Sequence, residues 1–329
     1  MGGFFLNHEC KIFKKEMKKH NFSAGPSILP QEVFAKLAEA VLDFNGMGLS
    51  LLEISHRSKD FVAVMDEARA IVKRLMNLND DYEVLYLQGG ASLQFVMVPF
   101  NLMKTEGGKG AYLDTGSWAS AAIKEGKKLG TVDVVGSSKA DLYSYIPKDY
   151  VVSTDNDYFH ITSNNTIYGT QIKEIPNVDV PLVCDMSSDI FSRQMDFSKF
   201  DLIYAGAQKN MGPAGATLVV VKKDILGKKG RDIPSYLNYQ LHIDKESMLN
   251  TPSVFAVYAS LLTLQWLENN GGIAWAEERN QKKASLLYDA IDNHPLFETH
   301  CINKEDRSNM NVSFKLLDES RKDEFDNSL

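Results

Sequence analysis

A chain of 329 residues, 44% hydrophobic and 24% charged, has room for roughly two domains' worth of core and the composition of a globular protein. Its formal net charge of −7 supplies no basic field for nucleic acid, and no apolar run reaches the roughly 18 residues of a membrane span. Cys10, Cys184 and Cys301 stand far apart with no CxxC pair, which argues against a disulfide framework or a zinc site and for a reducing, cytoplasmic setting.

In chain order, Met1 to Glu16 carries a short apolar patch and then lysines, the reverse of a signal peptide. Met17 offers a second plausible start, so residues 1–16 are expected to form a disordered extension outside the fold. Val33, Phe34, Leu37, Ala38, Val41 and Leu42 recur at helical spacing, with Pro30 as a start and Gly46 and Gly48 as a stop. A second helix is expected from Lys59 to Asn77 on Phe61, Val62, Met65, Ala68, Val72 and Leu75. Strand-like runs follow at Glu83–Leu87, Gly110–Asp114, Thr131–Val135, Tyr158–Thr162, Val180–Cys184, Asp201–Tyr204 and Ala216–Val221, with helical stretches such as Ala119–Leu129 between several of them. That alternation predicts an α/β fold, a mostly parallel sheet with helices on its faces. Past Thr251 two long helical patterns, Ser253–Glu268 and Gly272–Asp292, and a strand-like Asn309–Lys315 read as the start of a smaller C-terminal domain.

The run Tyr204-Ala-Gly-Ala-Gln-Lys209-Asn delivers one lysine at a predicted strand end. A desolvated lysine has a lowered pKa and is a usable nucleophile and base, as a Schiff-base partner of pyridoxal 5′-phosphate must be. A solvated loop lysine is the competing reading. Gln88-Gly-Gly-Ala91-Ser92 follows a strand and opens a helix, which aims backbone N–H groups outward as an anion cradle; an ordinary tight turn would look the same. Asp185 ends an apolar run, where a carboxylate can pair with a protonated pyridine nitrogen or simply cap the next segment. Trp118, just past another strand, can cover a ring face or fill core. Thr166 in Ser163-Asn-Asn-Thr166 can donate to a phenolic oxygen or belong to a polar turn.

Their order along the chain resembles the class V, fold type I aminotransferases, and within them the branch that makes phosphoserine. The similar segments include Asn21-Phe-Ser-Ala-Gly-Pro26, Ile54-Ser-His-Arg57, Gln88 to Ser92, Gly116-Ser-Trp118, Asp185-Met-Ser-Ser188, Ala205-Gly-Ala-Gln-Lys-Asn210, Asn250-Thr-Pro252 and Arg307-Ser-Asn-Met-Asn-Val312. The resemblance implies a seven-stranded sheet in a large domain (17–270, its N-terminal segment reaching the small domain) and an α+β domain over 271–329. It implies that Lys209 holds pyridoxal 5′-phosphate, that Asp185 pairs with its ring nitrogen, and that Trp118 stacks on the ring. Ala91 and Ser92 would cradle its phosphate, and Thr166 and Gln208 would hydrogen-bond it. Asn250 and Thr251 would reach the phosphate of a neighbouring subunit in a homodimer with shared sites, and His56 and Arg57 would hold the substrate's acidic group. The implied reaction moves an amino group between glutamate and 3-phosphohydroxypyruvate, in serine biosynthesis, and in bacteria also aminates a related oxo acid on the way to the cofactor; no metal is implied.

Members of the family continue into a His-Arg and a Gly-Gly-x-Arg-Ala-Ser segment, and neither occurs before Leu329. Two expectations are open. One is a working aminotransferase; the other is a truncated, impaired homologue that binds the cofactor or dimerises but lacks the arginines that grip substrate.

Overall fold

A computed structural model describes residues 20–327; the extension expected at 1–16 lies outside them. The chain opens with helices α1 (Gln31–Leu42) and α2 (Lys59–Met76). Pro30 stands at the α1 N-cap, and Gly46 and Gly48 take positive φ where the stop was expected. Ser58 caps α2 by accepting the Phe61 N–H, and Asn77 ends it in the left-handed conformation.

Then come β1 (Tyr82–Leu87), α3 (Gly90–Leu102), β2 (Lys109–Asp114), α4 (Ser117–Gly126), β3 (Thr131–Ser137) and β4 (Tyr158–Thr162). A two-residue ladder, β5 (Asn164–Asn165) with β6 (Thr170–Gln171), closes a tight turn before β7 (Leu182–Asp185), β8 (Leu202–Gly206) and β9 (Thr217–Lys222). Helices α5 (Tyr239–Asp244), α6 (Val254–Asn269) and α7 (Gly272–Asp292) follow. The chain finishes in the antiparallel pair β10 (Phe297–Thr299) and β11 (Phe314–Leu316) and the short α8 (Lys322–Asp326).

The main sheet has seven strands in the order β1-β9-β8-β7-β4-β2-β3, and each of the expected runs supplies one of them. Only β9 runs against its neighbours. Val84, Tyr86, Ile203, Ala205, Leu218 and Val220 face one core, while Leu85, Leu87, Leu202, Tyr204, Val219 and Val221 face the other. This alternation inside nearly unbroken apolar runs is what a sheet covered on both faces requires. The first core is closed by α2 and α6 through Phe61, Met65, Val257 and Leu264, and the second by α3 through Phe95 and Val98. The strand expected over Asn309–Lys315 is shorter, because residues 309–313 spend their polar groups on the β5–β6 turn: Asn164 Nδ2 donates to Asn311 Oδ1 at 2.9 Å and Ser313 Oγ to the Ile167 carbonyl at 2.8 Å.

Candidate active site

Strands β1, β2, β4, β7 and β8 point the same way, so their carboxyl ends share one edge, where open α/β sheets bind ligands. The register aligns those ends. Leu87 and Gly206 both pair with Thr217, and Thr162 pairs with Asp185, which pairs with Tyr204. The edge therefore receives Ala91 and Ser92 from β1, Trp118 from β2, Thr166 from β4, Asp185 from β7, and Gln208 and Lys209 from β8.

Lys209 is not a solvated loop residue. Its Nζ donates to Thr166 Oγ1 at 2.9 Å and lies 5.9 Å from the centroid of the Trp118 ring. Burial lowers its pKa from the ordinary lysine value, with Asp185 and Asp189 pulling the other way. The N-terminal segment lies over it: Ser27 N–H donates to the Gln208 carbonyl at 2.9 Å, and the Ser27 hydroxyl bonds the Lys209 carbonyl. A Cβ on Gly25 would stand 3.0 Å from Lys209 Cγ, so this glycine lets the segment press against the lysine stem. A cavity of about 420 Å³ opens beside Lys209, with Ser27, Ser188, Asn210, Arg279 and Lys283 among its walls.

Asp185 is buried, and burial raises its carboxyl above the usual range, opposed by the Ser187 hydroxyl and N–H and by Lys209. Its Oδ1 accepts the Ser187 N–H at 2.9 Å, so it caps a turn rather than a helix. Trp118 belongs to the first turn of α4 and is 42% exposed, which rules out the core reading. Gly116 ahead of it is required by close approach, since a Cβ there would lie 2.7 Å from Asn165 Oδ1.

At the start of α3, Gly89 serves as N-cap with φ 90° and no side chain caps the helix. The first N–H groups of a helix have no intrahelical partner, so those of Gly90, Ala91 and Ser92 are free for an anion at the positive helix end. The cradle has a rim from the same chain: Gln88 Nε2 donates to the Thr251 carbonyl at 2.7 Å, and so does Asn250 Nδ2 at 3.1 Å. His56 and Arg57 precede α2, and among the described residues no hydrogen bond or ion pair joins their side chains to Lys209, Asp185 or Trp118. The Tyr86 hydroxyl donates to the Ala68 carbonyl and Arg69 Nε to the Val84 carbonyl, so α2 runs antiparallel to β1, and exposed Arg57, just before α2, lies toward the same end of the sheet as the other strand carboxyl ends.

Sequence reasoning missed the polar cluster behind Asp185. Asp189 is fully buried and is held by Ser163, Gln171 and Arg193. Its signal was a second carboxylate in Asp185-Met-Ser-Ser-Asp189, four residues on. His160, also buried, shares a 2.8 Å bond between its Nε2 and the Tyr204 hydroxyl; burial holds its pKa down to about 3, so it is neutral.

Residues 19–325 match the family described as Aminotransferase class-V. The phosphoserine aminotransferase of Flavobacterium johnsoniae is 66% identical over 94% of this chain and 87% of its own length. That of Parabacteroides distasonis is 58% identical over 94% of this chain and 86% of its own. Among solved structures, phosphoserine aminotransferase from Bacillus circulans subsp. alkalophilus superposes with a TM-score of 0.90 at 42% identity, covering 94% of this chain and 86% of that one. The pyridoxal-phosphate-bound enzyme from Trichomonas vaginalis gives 0.86 at 34% identity, covering 93% and 91%.

Proposed function

The chain belongs to the class-V aminotransferase family, and we propose that Lys209, Asp185, Trp118, Thr166, Gln208 and the N–H groups of Ala91 and Ser92 form its cofactor site. It is a pyridoxal-phosphate-dependent transaminase that interconverts glutamate and 3-phosphohydroxypyruvate with 2-oxoglutarate and O-phosphoserine. The impaired homologue is not favoured, since likeness to phosphoserine aminotransferases runs through 94% of this chain at 66% identity.

The residues fit the cofactor. A Cβ on Gly90 would meet nothing within 4 Å, so open space lies before the unpaired N–H groups that suit a phosphate. A buried carboxylate, a flat aromatic and a lysine with lowered pKa stand along the same strand ends. When bound, the cofactor supplies the carbonyl that takes the amino group and a ring that withdraws electrons from the substrate Cα.

The protein supplies the rest. Asp185, in its dry setting, holds a positive ring nitrogen by charge. Trp118 packs against a ring face, and Thr166 and Gln208 orient polar edges. The lowered pKa of Lys209 keeps more of its Nζ neutral at working pH, so it can take the substrate Cα proton and return one in the reverse direction. The N-terminal segment packs along the Lys209 stem and backbone.

For the substrate's acidic group we assign His56 and Arg57, supported by the exposed guanidinium on the same side of the sheet, unpaired among the described residues. The planar fork of arginine suits a carboxylate or phosphate. For Asn250 and Thr251 we assign contact with the partner's cofactor phosphate in a homodimer. An isologous interface needs donor and acceptor patches on one face, and Thr251 borders the α3 start of its own chain. A large domain over 17–270, a small domain over 271–329 and a cytoplasmic setting complete the reading; the free, buried thiols of Cys184 and Cys301 support the last.

The hydrogen bond between Lys209 Nζ and Thr166, beside Trp118, carries the assignment. The test is formation of 2-oxoglutarate from glutamate in the presence of 3-phosphohydroxypyruvate. Lys209→Ala should abolish it, and Arg57→Ala should raise KM more than it lowers kcat. Turnover by Lys209→Ala near the wild-type rate would refute the assignment.

A further inference from the structure

Asp189 lies one turn past Asp185 and is completely buried. The Ser163 hydroxyl bonds its Oδ1 and stands 3.1 Å from the Asp185 carbonyl oxygen, which also accepts the Ser163 N–H at 3.0 Å. Gln171 Nε2 donates to Oδ2 at 3.2 Å, and Arg193 Nη2 lies 3.6 Å away. One hydroxyl thus ties a second carboxylate to the backbone of the first. The charged groups around it are Arg193 in its own turn, Lys173 beyond β6, Asp185 with the thiol of Cys184 on β7, and Lys209 beyond β8. Lys173 donates to Gln171 Oε1 at 2.5 Å and is itself influenced by Cys301 and Asp306.

We propose that Asp189 is a positioning residue of the transamination site: through Ser163 it fixes the end of β7 that carries Asp185, and its buried negative charge adds to that of Asp185 in supporting the ammonium form of Lys209. The inference rests on the reading of Lys209 and Asp185 as the cofactor contacts. Two observations carry it. The Ser163 bridge is geometric, and the negative charge of Asp189 favours the protonated forms of both Lys209 and Asp185, against the burial that lowers Lys209 and alongside the burial that raises Asp185. Burial pushes the carboxyl of Asp189 itself upward, while Arg193, Ser163, Gln171 and Lys173 oppose that push.

Charge and packing separate in Asp189→Asn. An asparagine can accept from Gln171 through Oδ1 and donate to Ser163 through Nδ2, which leaves the Ser163 proton for the Asp185 carbonyl. Its hydrogen bonds survive and its charge does not. Without that charge the Lys209 ammonium loses support, so its amine becomes neutral at lower pH. The experiment is the pH dependence of Lys209 acetylation by acetic anhydride in the cofactor-free protein, read by peptide mass spectrometry. A pH titration of the visible absorption of the holoenzyme accompanies it.

The Lys209 midpoint should fall by about half a pH unit or more in Asp189→Asn, with an unchanged thermal midpoint. Ser163→Ala keeps the carboxylate but removes a donor that holds it ionised, so it should shift the midpoint the same way by less; it also serves if Asp189→Asn does not fold. An unchanged Lys209 midpoint in the folded variants would reduce Asp189 to a packing group and overturn the proposal. The labelling needs no cofactor. If the cofactor reading fails, the visible band is missing while the labelling midpoint still responds to Asp189.

Discussion

Replacing Asp185 by asparagine should separate what this residue does for the fold from what it does for the chemistry. Its Oδ1 accepts the Ser187 N–H at 2.9 Å, a bond that an asparagine oxygen keeps. The amide is nearly isosteric, so no cavity forms. The structural cost should stay within about 1 kcal/mol, one ordinary hydrogen bond's net worth. In a protein of this size that is roughly 2 °C in thermal midpoint.

The pH dependence has a definite sign. Because burial raises the folded-state pKa of Asp185, the native state holds its proton where the unfolded chain has released it. Stability from this group is therefore lost as pH rises from the ordinary carboxylate range through the raised value. Asp185→Asn abolishes that loss, so the cofactor-free variant should be less sensitive to rising pH and no less stable at neutrality. Catalysis should respond oppositely. A neutral amide cannot hold a positive ring nitrogen, and losing a preorganised charge at the reacting centre costs about 100- to 1000-fold in kcat, roughly 3–4 kcal/mol. The assays are thermal melts of the cofactor-free protein from about pH 4, in the ordinary carboxylate range, up to about pH 8 and steady-state transamination. An activity loss below tenfold, or a collapse of the cofactor-free fold, would refute the reasoning.

Thr166→Val removes the acceptor of the 2.9 Å bond from Lys209 Nζ and should lower kcat/KM about tenfold, near 1.4 kcal/mol, with an unchanged melt; steady-state kinetics decides it. Gly116→Ala drives a Cβ to 2.7 Å from Asn165 Oδ1, so the turn carrying Trp118 must move. It should cost about 1–3 kcal/mol of stability in denaturant melts and weaken cofactor binding in a fluorescence titration. Tyr204→Phe leaves His160 Nε2 without its hydroxyl partner in a buried site, at a cost of about 1–3 kcal/mol by chemical denaturation. Since the pKa of His160 is depressed to about 3, the unfolded chain binds a proton that the native state refuses. Its contribution to stability is present above the ordinary histidine value and is lost as pH falls from there toward 3, and acid melts of the wild type should show that decline.

The sheet was legible because its strands are buried on both faces. The run Leu218–Val221 has no polar interruption, the polar residues within Tyr158–Thr162 (His160 and Thr162) are buried with their neighbours, and the glycines around these runs punctuate the connections. The proposed site residues come together for a related reason: Ala91, Trp118, Thr166, Asp185 and Lys209 each stand at or just past the end of such a run, and a parallel sheet gathers its strand ends along one edge. Composition could not show that Ser163 links the backbone of Asp185 to the carboxylate of Asp189, 22 and 26 residues away along the chain. Nor could it show that residues 25–27 lie over Lys209, since contacts across such separations depend on register and not on local pattern. The strand expected at Asn309–Lys315 was too long for the same reason: its alternation resembles a strand, but Asn311 and Ser313 are engaged by the β5–β6 turn.

The central claim is that Lys209 is the lysine bound to pyridoxal phosphate. Holoprotein reduced with borohydride, digested and mapped by peptide mass spectrometry tests it directly. A phosphopyridoxyl group is expected on Lys209 alone, lost in Lys209→Ala together with the visible absorption band. The same group on another lysine such as Lys173 or Lys283, or no modified peptide at all, would contradict it.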